Sequence, residues 1–263
     1  MASVSSRLKA ARSDAGLEIL GQGIDPVNPV ERVPLQFDAP RYRRMAAHFE
    51  RLGPHGARMM RQTASLHVNV DFGASPLRTW RFLNAAAPYL TAIFANSSRY
   101  AGDVTGHQSY RALVWRELDP LRTGQFPCLD PVEEYLDFAL EAPAFLLGRE
   151  GDPAEPFRAW WNRMGATFAD WHEHLTTLFP DVRPRGYLEI RCIDALPLEW
   201  AGVPAVLLTG LLRNPDSFGA AEHLLGPPDP ELAWLAGEVG LRAPRLGAVA
   251  RELFEIGLAG VAG

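Results

Sequence analysis

One histidine, one glutamate and two arginines are the residues of this chain best placed by type and spacing to do chemistry. In Thr63-Ala-Ser-Leu-His-Val-Asn-Val-Asp-Phe, the residues Thr63, Ser65, His67, Asn69 and Asp71 alternate with Ala64, Leu66, Val68, Val70 and Phe72. Strand geometry sends the two sets to opposite faces, one for a core and one carrying short hydrogen-bonding groups around an imidazole. Such a row suits the solvent side of an antiparallel sheet or, being free of Lys, Arg and Glu, the lining of a cleft. A second run repeats the pattern: Tyr187, Glu189, Arg191 and Ile193 point one way, Leu188, Ile190 and Cys192 the other. Glu189 and Arg191 either neutralise each other on the sheet surface or, beside the His67 strand, supply a metal ligand set and an anion clamp.

A third stretch, Thr105 to Gly124, carries Arg111, Arg116 and Arg122 after a Gly-flanked loop. Guanidinium forks in that setting suit a carboxylate or phosphate, although arginines are equally at home on a surface. A helix here places Arg111 and Trp115 on one face. His172-Glu-His174 has the residues of a zinc site without the spacing, because helical i, i+2 side chains diverge.

The elements that must position these groups follow from periodicity and punctuation. The pattern predicts the tail of a helix at 5–15, a short strand over Gly16 to Gly21, and a loop from Pro26 to Pro40. Helices are expected at 41–52, 76–95 and 131–147, with a further element near 110–118 and an acidic Gly/Pro loop at 148–156. Thr167 with Asp170 three residues on is a capping signature, and Phe168, Trp171, Leu175 and Leu178 fall on one face of the helix it opens, which stops at Pro180. Strands are expected at 63–72 and 186–194. Ala201 to Leu212 reads as a buried helix, too short for the roughly 20 residues of a membrane span, and helices fill the remainder. One α+β domain over 1–263 is the simplest partition.

Composition bounds the rest. The 263 residues are 47% hydrophobic, 22% charged and 10% aromatic, with a net charge of −5, which describes a globular chain with a substantial core and disfavours nucleic acid as a partner. Lys9 stands alone among 25 arginines, so neither a P-loop nor a Schiff base is available. Cys128 and Cys192 form no CxxC or Cys/His cluster and read as two buried thiols in a reducing cytoplasm. The first twelve residues have no hydrophobic signal region. The expectation is therefore a cytoplasmic protein without membrane contact.

The same segments resemble the glutamate–cysteine ligase family of carboxylate–amine ligases, especially the bacterial ergothioneine-pathway branch and the plant-type enzymes. The resemblance is carried by Met59 to Asp71, by Ala95-Asn-Ser, by Ser109 to Gly124 with Arg111, Trp115, Asp119, Arg122 and Thr123, and above all by the long run His174 to Arg191. It implies a cupped, mainly antiparallel sheet flanked by helices, related to the catalytic domain of glutamine synthetase. The implied reaction is ATP-dependent ligation of glutamate through its γ-carboxylate to cysteine, by way of an acyl phosphate and with Mg2+.

The resemblance also implies roles. Glu189 matches a carboxylate that helps hold metal, and Arg191 an arginine directed at the transferring phosphate. Arg111 matches an arginine that grips the glutamate α-carboxylate, with Trp115, Thr63 and Asn69 beside the substrates. His67, in His-x-Asn, matches a metal ligand of the more distant bacterial enzymes. The family's early Gly-x-Glu-x-Glu strand has no counterpart here. The expected fold is accordingly incomplete at its N-terminus, with a homo-oligomer or a separate N-terminal half completing the metal site. A catalytically silent homologue or partner subunit binding an amino acid or nucleotide, and a ligase for another amine acceptor, are the alternative functions.

Overall fold

A computed structural model describes residues 14–148 and 154–262. The helices are α1 (Pro40–Glu50), α2 (His55–Gln62), α3 (Pro76–Ile93), α4 (Tyr110–Arg116), α5 (Pro120–Thr123), α6 (Pro131–Glu141), α7 (Phe157–Met164), α8 (Phe168–Leu175), α9 (Val203–Arg213), α10 (Pro215–Leu225), α11 (Pro230–Glu238) and α12 (Pro244–Ala262). The strands are β1 (Val68–Val70), β2 (Arg99–Tyr100), β3 (Asp103–Val104), β4 (Val182–Pro184) and β5 (Leu188–Ile190). Most of these helices start at proline, whose fixed φ and missing N–H cost nothing in a first turn.

The α+β class expected from the sequence is present, but helices dominate it. The sheet among the described residues is a three-stranded antiparallel unit, β1-β5-β4, with β2 and β3 forming a separate ribbon. The pairings that matter are Asn69 opposite Glu189, and Arg183 opposite the same Glu189 from the other side. Leu188 and Ile190 point into the main core, where Leu66, Val68, Val70 and Phe72 pack against them. The spine of that core is α3, which buries Trp80, Phe82, Leu83, Ala86, Ala87 and Leu90. A smaller core joins Phe49 and Met45 of α1 to Met59, Val114 and Phe145.

Several expectations are corrected. Residues 17–22 form no strand, and Leu17, Ile19 and Leu20 are exposed, because only Ile24 bridges the neighbouring segment, at Thr63. The strand expected at 63–72 is regular only over Val68–Val70, preceded by single bridges at Thr63 and Ser65. Ile193 lies in the core rather than on the polar face, since the regular pleat of β5 ends at Ile190 and alternation lapses beyond it. The helix at 131 ends at Glu141 where Ala142 turns extended before Pro143, the conformation that a following proline favours. The Thr167–Asp170 capping box forms as expected, but Phe168 is 85% exposed. The expected helix tail at 5–15 falls largely outside the described residues, as does most of the loop at 148–156. Among the described residues no helix is long and apolar enough to cross a membrane. Both cysteines are free and buried, and burial pushes each thiol up to about 12.

Helices α9 and α12 touch backbone to backbone. A Cβ on Gly210 would lie 1.8 Å from the Gly257 carbonyl oxygen. Gly210→Ala is therefore expected to cost about 1–3 kcal/mol through overpacking, a fall of roughly 5 °C in melting temperature for a chain of this size. Gly219→Ala is the control, because open space surrounds that position and alanine raises helix propensity by about 1 kcal/mol there. Thermal unfolding followed by circular dichroism reads both.

Candidate active site

The site is built on β5, the central strand. Glu189 Oε2 accepts hydrogen bonds from Arg183 Nε and Arg191 Nη1, both at 2.8 Å, and lies 2.6 Å from Arg183 Nη2. Its other oxygen, Oε1, is 3.6 Å from His67 Nδ1, while His67 Nε2 is 2.8 Å from the Ser65 hydroxyl. Burial alone would raise the Glu189 carboxyl, but Arg191 and Arg183 hold it below its ordinary value. Burial and the same cations, Arg191 foremost, push the His67 imidazole down to about 4, so it stays neutral near neutrality. Arg191 is itself lowered to about 10 by burial, with Arg183 adding to the shift.

Helix α4 supplies the second half. Ser109 caps it by accepting a bond from the Ala112 amide, and the helical turn sets Arg111 and Trp115 on one face. The Trp115 ring lies beneath two guanidiniums, 5.6 Å from Arg111 Cζ and 5.7 Å from Arg191 Cζ. Arg111 Nη2 donates to the Arg191 carbonyl at 2.8 Å, and Nη1 is 3.7 Å from Asp194. Arg111, Trp115, Arg116, Phe179, Asp181 and Arg191 line one small cavity. Three buried donors on its walls have no partner: Arg111 Nε, Trp115 Nε1 and Arg116 Nε. An unmet buried donor costs about 1–3 kcal/mol, so three such donors on residues around one cavity favour an acceptor group there.

The structure thus brings together Glu189, Arg191, His67, Arg111 and Trp115. Asn69 lies opposite Glu189 in the ladder and is exposed. Thr63 is not part of the cluster, because its hydroxyl donates to the Met59 carbonyl at the end of α2. Arg183 and Asp194 received no role from sequence reasoning, whereas Arg116 was expected only as one of three arginines in an anion-binding stretch. Arg183 was legible in principle, since a three-residue connection centred on Gly186 puts it across from Glu189. Arg122 and Asp119, part of the recognised motif, serve packing instead: Arg122 is fully buried, paired with Asp119 at 3.0 Å and donating to Thr177 Oγ1 at 2.6 Å.

The two histidines at 172 and 174 diverge as expected, His172 outward and His174 inward. His174 donates from Nε2 to the Ala139 carbonyl at 2.7 Å and stacks on Phe157. Burial lowers its imidazole to about 4. The unfolded chain binds this proton near 6.5 and the folded one only near 4, so the contribution is whole above 6.5 and is lost as pH falls through about 4. Its size is about 3 kcal/mol. Urea unfolding at a series of pH values is expected to show stability falling on acidification through this window, with a shallower fall for His174→Gln.

A carboxylate shared by two guanidiniums, next to a cavity whose walls carry unmet N–H donors, is an arrangement suited to a carboxylate or phosphate group. The chain belongs to the glutamate–cysteine ligase family 2, whose model matches residues 1–221. It is 37% identical over 268 residues to the glutamate–cysteine ligase EgtA of Mycolicibacterium smegmatis, an alignment covering 94% of this chain and 59% of that protein. It is 36% identical to EgtA of Mycobacterium tuberculosis, over 91% of this chain and 59% of that protein. The chloroplastic glutamate–cysteine ligase of Brassica juncea is 33% identical over 75% of this chain and 43% of its own length. The chain thus spans somewhat over half the length of the EgtA relatives it matches.

Proposed function

We propose that this chain carries out ATP-dependent ligation of glutamate, through its γ-carboxylate, to the amine of cysteine. The observation that carries the reading is one cavity lined by Arg111, Trp115, Arg116 and Arg191, the first three each with a buried donor that has no partner, while Arg191 is bonded to Glu189. Phosphoryl transfer to a carboxylate asks for cations that spread developing charge and for donors that hold the acceptor in line. Arg111 grips the α-carboxylate of glutamate over the Trp115 ring. Arg191, tethered by Glu189 and backed by Trp115 and Phe179, faces the transferred phosphate. The γ-carboxylate oxygen attacks that phosphorus and ADP leaves; the cysteine amine then opens the acyl phosphate, releasing phosphate. The proposal includes a single glutamine-synthetase-like catalytic domain acting in the cytoplasm, in the ergothioneine branch of the family.

Magnesium fits this chain's residues incompletely. Among the described residues no three His, Cys, Asp or Glu side chains are disposed to hold a metal. Glu189 and His67 offer one carboxylate oxygen and one imidazole, where magnesium prefers near-octahedral oxygen. No step above is routed through the metal.

The test is ADP release by the purified chain with ATP and magnesium, with glutamate and cysteine present singly and together. Release that needs both amino acids is the expected result. Glutamate binding without any ADP release would favour the silent homologue, and release with other amines preferred over cysteine would replace the acceptor.

A further inference from the structure

We infer that Asp194 is a positioning residue for the substrate-gripping arginine: its carboxylate, and the two serines bonded to it, hold Arg111 in its orientation toward the cavity. The inference rests on the proposed role of Arg111. Asp194 is 1% exposed and Arg111 4%. Asp194 Oδ2 accepts from the Ser97 hydroxyl at 2.7 Å and from the Asn96 amide at 2.8 Å, and Oδ1 accepts from the Ser109 hydroxyl at 3.0 Å. Oδ1 is also the atom that faces Arg111 Nη1.

Both serines act twice. Ser97 Oγ accepts the Arg111 amide at 3.1 Å, and Ser109 Oγ accepts the Ala112 amide at 3.1 Å. The first turn of α4 is therefore pinned by the same hydroxyls that fill the Asp194 lone pairs. With Nη1 3.7 Å from Asp194, Nη2 on the Arg191 carbonyl and Trp115 below, the guanidinium is held on three sides, and Nε is its buried donor without a hydrogen-bond partner. Both carboxylate oxygens of Asp194 can accept from the two hydroxyls, the amide and the guanidinium at once, whereas an amide at this position would set an NH2 donor against either the Arg111 fork or the hydrogen-bond donors of Asn96 and Ser97. The chain makes room for that anion at Gly23, where a Cβ would lie 2.4 Å from the Asp194 carboxyl carbon.

The test is a cycle of four full-length chains: wild type, Asp194→Asn, Arg111→Met and the double variant. Asp194→Asn is expected to raise KM for glutamate at least about tenfold through misplacement of the fork, with kcat at saturating glutamate changed far less. On the Arg111→Met background, the same change is expected to leave KM where it is. Arg111→Met alone should melt lower than the double variant, because it leaves the Asp194 charge buried and unpaired. An equal KM rise in both backgrounds, or a loss of stability with KM unchanged, would overturn the positioning role. A crystal structure of Asp194→Asn decides the matter without turnover: the Arg111 fork displaced from the Arg191 carbonyl supports the inference, and a fork still in place refutes it. Absence of glutamate-dependent ADP release in the wild type would sink the ligase reading, while the melting cycle and that crystal structure would still report on whether Asp194 holds Arg111.

Discussion

Arg191→Ala is expected to abolish ADP formation, by at least about 10³-fold in kcat, while glutamate affinity stays within about threefold of wild type. The direction follows from what the side chain does and what it leaves behind. Its guanidinium is the one that Glu189 and the faces of Trp115 and Phe179 hold in place beside the cavity, so its loss removes charge stabilisation specific to the transition state. The fork of Arg111, however, is anchored on the backbone carbonyl of residue 191, which survives the substitution. Glu189 also remains paired with Arg183, so no buried carboxylate is stranded and the fold is expected to persist. Single-turnover ADP release, with glutamate binding by calorimetry beside it, reads the two quantities separately. Normal ADP release by a folded Arg191→Ala chain would remove this residue from the phosphate.

Glu189→Gln is expected to have the largest combined effect on stability and activity. One carboxylate oxygen neutralises two guanidiniums, Arg183 and Arg191, within a largely buried cluster. The amide keeps the volume and loses the charge, leaving two cations in mutual repulsion. Breaking a buried pair in this way costs about 3–5 kcal/mol, or roughly 10 °C in melting temperature. Activity is expected to vanish with it, because the Arg191 fork loses its tether. Restoring the charge balance discriminates between causes: in Glu189→Gln/Arg183→Gln one cation has been withdrawn, so much of the stability should return while ADP release stays absent. If activity returned with stability, Glu189 would be a folding residue alone.

Much of this site was legible along the chain because strand and helix periods are local properties. Alternation around His67 and around Glu189 named the two faces correctly where the ladder is regular, and the Arg111–Trp115 spacing needed only one helical turn. The Thr167–Asp170 cap formed for the same reason, since both partners lie within four residues. Where pairing lapsed, local reasoning lapsed with it: Thr63 turned its hydroxyl back onto α2, Ile193 entered the core, and residues 17–22 found no strand partner.

The residue types suited to an anion are readable along the chain, an arginine-rich set with one glutamate on β5 and one histidine just ahead of β1. Tertiary structure alone decided their partners. Arg183 reaches Glu189 through cross-strand register, and Asp194 reaches Arg111 and Ser97 across more than eighty residues of chain. Such contacts carry no local period, because they arise when separate elements bury their charges in the same place and each charge must then find its counterpart there.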